Sequence, residues 1–234
     1  MHFVCVFSFS NRRYPSCIQK IYKKFFGGRG IIPAWNLAKK RYNRYMQKNI
    51  TLQTFLEHID FFIAEAKAGK IFVYPTDTIY GIGCIYTLEN VEKIYAIKKR
   101  DEKKMFSIIA PSFDWISENF KWEMINFKLT TEQLKAYLDT YHGVTYIFDY
   151  DRPWMRIIKH PFQSFVEKLG EPFITTSCNV AWEAIVDDIK KLPSDIAEGV
   201  DYIIDPAKDG AGAWLGWGKP SVLIDFVAGK GIER

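Results

Sequence analysis

Between Thr51 and Phe226 the apolar residues keep switching between helical and strand spacing, and this alternation constrains the fold more than any other feature of the chain. Behind Thr51, whose hydroxyl suits a helix N-cap, Leu52, Phe55, Leu56, Ile59, Phe62, Ile63 and Ala66 recur at helical spacing until Gly69. Ile71–Tyr74 then reads as a buried strand that Pro75 stops. Further helices are predicted over 88–100, 113–120, 131–138 and 162–169. Strands are predicted over 105–110, 144–148, 173–176, 202–205 and 221–226. Such alternation implies an α/β sandwich with a mixed sheet. The longest apolar runs are far shorter than the roughly 20 residues that cross a bilayer, so the expectation is a soluble, cytoplasmic protein without a membrane span.

Charge divides the chain in a way its net +5 conceals. Residues 1–48 hold eleven Lys and Arg and no acid, and the first acid is Glu57. Residues 49–234 hold twenty-one bases and twenty-seven acids, a balance of −6. The expected organisation is a basic extension over 1–45 and one domain over 46–234. Three readings of the extension stand beside one another: a targeting leader, a nucleic-acid arm, or a start placed too early, with Met46 the true beginning. The last is preferred, because composition changes abruptly there. Four scattered cysteines and four scattered histidines form neither a C-x-x-C pair nor an H-x-x-x-H pair. A disulfide framework or protein-held metal centre is therefore not expected.

Four stretches could carry chemistry. Tyr74-Pro-Thr-Asp-Thr-Ile-Tyr-Gly-Ile-Gly83 sets three hydroxyls (Thr76, Thr78 and Tyr80) on a loop after a strand. Its two glycines would let a ligand approach the backbone. Alone, it is equally a Thr-rich capping loop. Lys98-Lys-Arg-Asp-Glu-Lys-Lys104 ends a helix; it is either a solvated cationic cap or a phosphate clamp. Thr175-Thr-Ser-Cys-Asn179 follows a strand, at the strand end where α/β folds bind ligands. Lys219-Pro-Ser221 opens the last strand after two Gly-containing stretches, 209–212 and 216–218.

Taken in order, PTDTIYGIG (75–83), KKRDEKK (98–104), YHGVT (141–145), RIIKHP (156–161), TSCNVA (176–181) and PSVLID (220–225) resemble the YrdC-type threonylcarbamoyl-AMP synthase family over roughly residues 50–228. The resemblance implies a twisted mixed sheet flanked by helices, in a single domain with a concave ligand-binding face. It implies a nucleotidyltransferase that joins L-threonine, bicarbonate and ATP into threonylcarbamoyl-AMP and pyrophosphate, with Mg2+ bridging phosphates. The product would pass to a tRNA threonylcarbamoyl-transferase complex. By motif position, Lys98 and Arg100 would be catalytic. Lys98, Arg100, Lys104, Ser177, Asn179 and Ser221 would bind ATP. Thr76, Thr78, Tyr80, Thr145, Arg156 and Thr176 would bind threonine. The chemistry needs positioning and charge neutralisation rather than a protein nucleophile, and the chain shows no Ser-His-Asp or Cys-His set.

The chain also departs from the family pattern. Tyr141-His-Gly143 stands for P-G-P, Cys178 for Ala, Ala181-Trp182 for S-G, Ser221-Val222 for S-T, and Met105 for the Pro after the lysine. His160 keeps a family position, yet a lone His is more often structural. A non-catalytic RNA-binding module of the same fold is the alternative reading, and weak RNA binding could accompany the enzyme. The acidic balance beyond residue 48 opposes strong backbone binding. A carbamoyl-transfer enzyme built on the same domain is a third reading.

Overall fold

The computed structural model describes residues 48–102, 104–119, 130–206, 216 and 218–232. The expectations for the extension over 1–45 and the Gly-containing stretch 209–212 lie outside these residues. The fold that follows is that of the unit Gln47–Arg234.

In chain order the elements are β1 (Asn49–Thr51), α1 (Leu52–Glu57), α2 (Ile59–Lys67), β2 (Phe72–Tyr74), β3 (Gly81–Gly83), α3 (Leu88–Lys98), β4 (Ser107–Ile109), α4 (Phe113–Asn119), α5 (Thr131–Thr140), β5 (Val144–Ile147), β6 (Trp154–Arg156), α6 (Gln163–Leu169), β7 (Phe173–Ser177), a 3-10 turn (Ile189–Lys191), α7 (Ser194–Gly199), β8 (Tyr202–Asp205), β9 (Val222–Asp225) and β10 (Lys230–Ile232). The strands form one mixed sheet in the order β1-β8-β2-β3-β7-β4-β6-β5-β9-β10. β7 sits mid-sheet, antiparallel to β3 on one side and to β4 on the other. The mixed α/β architecture is the one the sequence implies.

Strand parity distributes the core. Phe72 and Tyr74 of β2, Tyr202 and Ile204 of β8, and Phe173 of β7 join Phe55, Phe62, Phe162 and Phe165 in a cluster under α1, α2 and α6. The intervening Val73, Ile203 and Ile174 point the other way, onto Ile94 of α3 and Ile196 of α7. Successive strand side chains face opposite sides of a sheet, so both faces are covered. Ile108, Tyr146 and Met155 bury a third cluster against Leu134 and Leu138 of α5. Aromatic rings dominate the first cluster; Tyr74 and Phe162 stack 4.1 Å apart.

Two local differences from the sequence reading have physical reasons. The single helix expected from Thr51 to Ala66 is broken at His58, where φ −118° and ψ 31° leave the helical region. Thr51 is its N-cap, as expected, and accepts from the Thr54 N–H at 3.0 Å. Four three-residue strands (β1, β3, β6 and β10) escaped the pattern, because a run of three cannot show a period, and so did α7, whose six residues bury only Ile196. Among the described residues no helix is long and apolar enough to cross a membrane.

Candidate active site

The loop 75–80 is fixed by its own side chains. Thr76 Oγ1 donates to the Ile79 carbonyl at 2.7 Å and accepts from the Thr78 N–H at 3.1 Å. It lies 3.0 Å from Thr78 Oγ1. A hydroxyl has one proton, and that of Thr76 is committed, so Thr78 donates to Thr76. Arg156 Nη1 donates to Thr78 Oγ1 at 3.1 Å. Thr78 Oγ1 thus has no proton left to donate and keeps acceptor capacity for a ligand's N–H or O–H.

Beneath these hydroxyls lies a residue that the sequence reading did not single out. Asp77 is buried and pairs with Arg156, also buried, at 2.5 Å. Its other oxygen accepts from the backbone N–H of Gly143 at 3.2 Å and of Lys159 at 3.1 Å. One carboxylate therefore ties together the β2–β3 loop, the approach to β5, strand β6 and the segment after it. Gly143 stands at φ 63°, a left-handed position that glycine takes without strain; it occupies the place of the second proline of the family pattern, which has no N–H, and here presents one to Asp77. The acidic third letter of the first motif was the available signal. His160, next to Lys159, is buried, and its Nδ1 accepts from the Phe162 N–H at 3.0 Å. Burial pushes its pKa down to about 4, against a smaller upward pull from Asp77. It is a neutral structural residue at pH 7.

The glycines of the first motif serve the sheet. A Cβ on Gly83 would fall 1.7 Å from the Ile174 carbonyl oxygen of β7, and one on Gly81 would meet the Tyr74 ring at 3.0 Å. They permit the close β3–β7 pairing; the expected close approach of ligand to backbone is not what requires Gly83. Gly216 has the comparable task beside the loop, since its Cβ would lie 2.3 Å from the Thr78 carbonyl oxygen. The Gly218 N–H donates to that same oxygen at 3.0 Å.

The cationic stretch divides at the end of α3. Lys99 adopts φ 49°, which turns the chain and sends its two neighbours apart. Lys98 is only 2% exposed, and its ammonium donates to the carbonyls of Ser177 and, at 2.6 Å, Asn179. Burial is the largest influence on it and pushes its pKa down to about 8, with Arg100 adding to the shift. Arg100 lines the cavity, donating to Thr176 Oγ1 at 3.3 Å and to the Met105 carbonyl at 3.0 Å, with its guanidinium 5.1 Å from the Phe106 ring centre. Lys104 is exposed, its ammonium 3.6 Å from the centre of the Trp182 ring.

These elements enclose a cavity of about 200 Å³. Thr76, Thr78, Tyr80, Arg100, Thr145, Arg156, Thr176, Ser177 and Ser221 all line it. Lys98, Lys104 and Asn179 are not among its lining residues. Lys98 holds the loop behind the wall, and the Asn179 amide donates to the Glu183 carbonyl at 2.7 Å. Ser107 and Trp154 also line the cavity without having been anticipated, and Thr175, singled out with its stretch but given no role, lines it as well. On the far wall Thr145 Oγ1 and Ser221 Oγ stand 2.7 Å apart. That pair holds two protons and uses one between them, so one is available to a ligand. Tyr80 is buried, and burial first, then Asp205 and Asp188, raises its pKa, so it stays a neutral phenol. The cavity thus presents neutral hydroxyl donors and acceptors together with the guanidiniums of Arg100 and Arg156. It suits an anionic ligand with a short polar tail. Cys178, behind the wall, is pushed by burial up to about 12 and is no nucleophile at neutral pH.

Comparison with known proteins gives a consistent picture. The Sua5/YciO/YrdC family model, described as telomere recombination, matches residues 65–147. The chain is 23% identical over 176 residues to the threonylcarbamoyl-AMP synthase of Pseudoalteromonas translucida, covering 69% of this chain and 89% of that one. It is 25% identical over 177 residues to the enzyme of the same name from Pseudomonas entomophila, covering 72% and 92%. Among solved structures, P. abyssi Sua5 complexed with L-threonine superposes with a TM-score of 0.59 at 19% identity over 76% of this chain. This chain spans 53% of that Sua5. E. coli YciO superposes with a TM-score of 0.57 at 22% identity, over 76% of this chain and 88% of its own. At these identities the structural likeness speaks for the fold.

Proposed function

From a chain of the YrdC type, we propose an L-threonylcarbamoyladenylate synthase that consumes L-threonine, bicarbonate and ATP and releases pyrophosphate. The observation that carries the reading is convergence: residues from six separated motifs, Thr76 to Ser221, line a single cavity. In the proposed reaction the threonine nitrogen first bonds to the carbon of bicarbonate while a C–O bond of the bicarbonate breaks and water leaves, giving a carbamate. A carbamate oxygen then bonds to the α-phosphorus of ATP, and the bond from that phosphorus to the β-bridging oxygen breaks, releasing pyrophosphate.

The protein's part is to position and neutralise. Arg100 faces the cavity and supplies positive charge for phosphate oxygens. Arg156, already sharing one edge with Asp77, orients the threonine carboxylate, while Thr78 accepts from an amine or hydroxyl. The spare proton of the Thr145–Ser221 pair serves an anionic oxygen. Lys98 acts one step removed, by holding the Ser177 and Asn179 carbonyls. Mg2+ would neutralise phosphate charge when bound. Among the described residues no group of three or more His, Cys, Asp or Glu could hold a metal, and Asp77 is committed to Arg156, so the ion fits only as a companion of the nucleotide, with hydroxyls such as Ser177 near it. Transfer of the product onto tRNA by a partner complex completes the proposal.

The test is pyrophosphate release by the purified full-length chain with ATP and Mg2+. Release is expected only when L-threonine and bicarbonate are both present. Threonine-independent release, or none from folded protein, would overturn the reading.

A further inference from the structure

We propose that Trp182 is a stacking platform for the adenine base of the nucleotide at the mouth of the cavity, an inference that rests on the ATP-dependent reading above. Trp182 is the third residue of a turn closed by the Glu183 N–H on the Val180 carbonyl at 3.1 Å. Its φ is +73°, a value turns reserve for Gly or Asn at that position. It also stands where the family pattern has glycine. A tryptophan there is strained, and burial does not offset the strain, because the residue is 89% exposed. Its one specific contact among those described is with Lys104, whose ammonium lies 3.6 Å from the ring centre. An exposed indole pinned by a cation on one face has its other face open for a ligand.

The position of the ring indicates which ligand. Trp182 lies between Ser177 and Ile185, and both of these line the cavity. Lys104 directly precedes Met105, which lines the cavity too. The Trp182–Lys104 contact therefore joins two segments at the rim. The cavity itself, about 200 Å³, is smaller than the roughly 300–1,000 Å³ pockets that enclose drug-sized ligands. It has room for the threonylcarbamoyl and phosphate parts, which leaves the nucleoside on the rim. An indole offers a π-face and a single N–H donor. That face recognises a flat heteroaromatic base and has little to offer a phosphate or a sugar. The neighbouring ammonium favours a ligand that carries phosphates on the same scaffold.

The experiment compares the full-length chain with Trp182→Gly, a change the positive φ accommodates, so that the variant folds without the strain. Calorimetric titration with ATP and, separately, with inorganic tripolyphosphate reads the two halves of the ligand. Stacking on one aromatic is worth enough to predict an ATP affinity roughly 5- to 150-fold weaker in Trp182→Gly, with tripolyphosphate unchanged and Trp182→Phe close to the parent. Equal ATP affinity in parent and Trp182→Gly overturns the platform and leaves the synthase reading intact. Equal weakening of tripolyphosphate also overturns it, since the residue would then act through the loop or Lys104. A variant that loses a single-stranded RNA oligonucleotide while keeping ATP assigns the ring to RNA and overturns it too. A parent chain that binds no ATP removes both this inference and the function it rests on.

Discussion

Two loops face the cavity, and they are held in opposite ways. The loop 75–80 after β2 is fixed by its own side chains: Thr76, Asp77 and Thr78 each make the bonds that shape it. The loop after β7 is fixed through its own carbonyls, which accept from the ammonium of Lys98 on α3 and, at Glu183, from the Asn179 amide. The difference explains where this chain departs from the family pattern. A loop that specifies itself has no interchangeable letters, and PTDTIYGIG matches throughout. A loop held through its backbone oxygens leaves its side chains other than Asn179 free to vary. Cys178, Ala181 and Trp182 are where they have varied.

The strongest way to break this comparison is Asp77→Asn. Asp77 and Arg156 are both buried, and removing one member of such a pair leaves an uncompensated charge, which costs about 3–5 kcal/mol. Chemical denaturation should show a loss of that size. A loss within the range of surface substitutions would mean that the first loop is not held by its own side chains.

Arg100→Ala sharpens the boundary between the loops, since Arg100 touches both the cavity and Thr176. If its guanidinium serves the transferring phosphoryl group, kcat/KM for ATP should fall by about 10²–10³, equivalent to roughly 2.7–4 kcal/mol. The melting temperature should fall only slightly. Normal activity with a lower melting temperature would reduce Arg100 to a brace for Thr176 and Met105.

The smallest effects lie in the pH dependence of stability, where the two regions separate onto opposite sides of neutrality. His160, beside the first loop, has a folded pKa of about 4 against an ordinary 6.5. The unfolded chain therefore takes up a proton that the folded one refuses, and stability drops as pH falls from 6.5 toward 4, by roughly 3 kcal/mol. Lys98, behind the second loop, has a folded pKa of about 8 against 10.5. The unfolded chain again holds the extra proton, so stability rises by about 3 kcal/mol as pH climbs from 8 to 10.5. Denaturation series in His160→Gln and Lys98→Met should flatten the acid and alkaline slopes respectively. An alkaline slope that persists in Lys98→Met would show that the ammonium is not what titrates.

The sequence made legible whatever a period or a motif can express. Helices α3, α5 and α6 and strands β5, β7 and β8 lie within a residue or two of their expected places, because each carries enough apolar residues to display its spacing. β3, reading Gly-Ile-Gly, carries no strand signal and exists because its missing side chains let β7 approach. Nine of the twelve expected site residues line the cavity. Lys98 does not, since as the last residue of α3 it shares the buried face of Asn90 and Ile94 at i, i+4 spacing, and the left-handed Lys99 turns only Arg100 away from that face. Asp77 was visible as a letter but not as a role, because its three partners come from segments whose proximity only the fold creates.

Those partners carry a kinetic consequence. Gly143, Arg156 and Lys159 lie 66, 79 and 82 residues along the chain from Asp77. Contacts so distant in sequence are expensive in loop entropy and are made late on the folding path. The hydroxyl array that rests on Asp77 can therefore be complete only when almost everything else is. Ligand binding by this cavity should consequently report arrival at the native state, lagging behind the recovery of helical signal when the protein is refolded from denaturant.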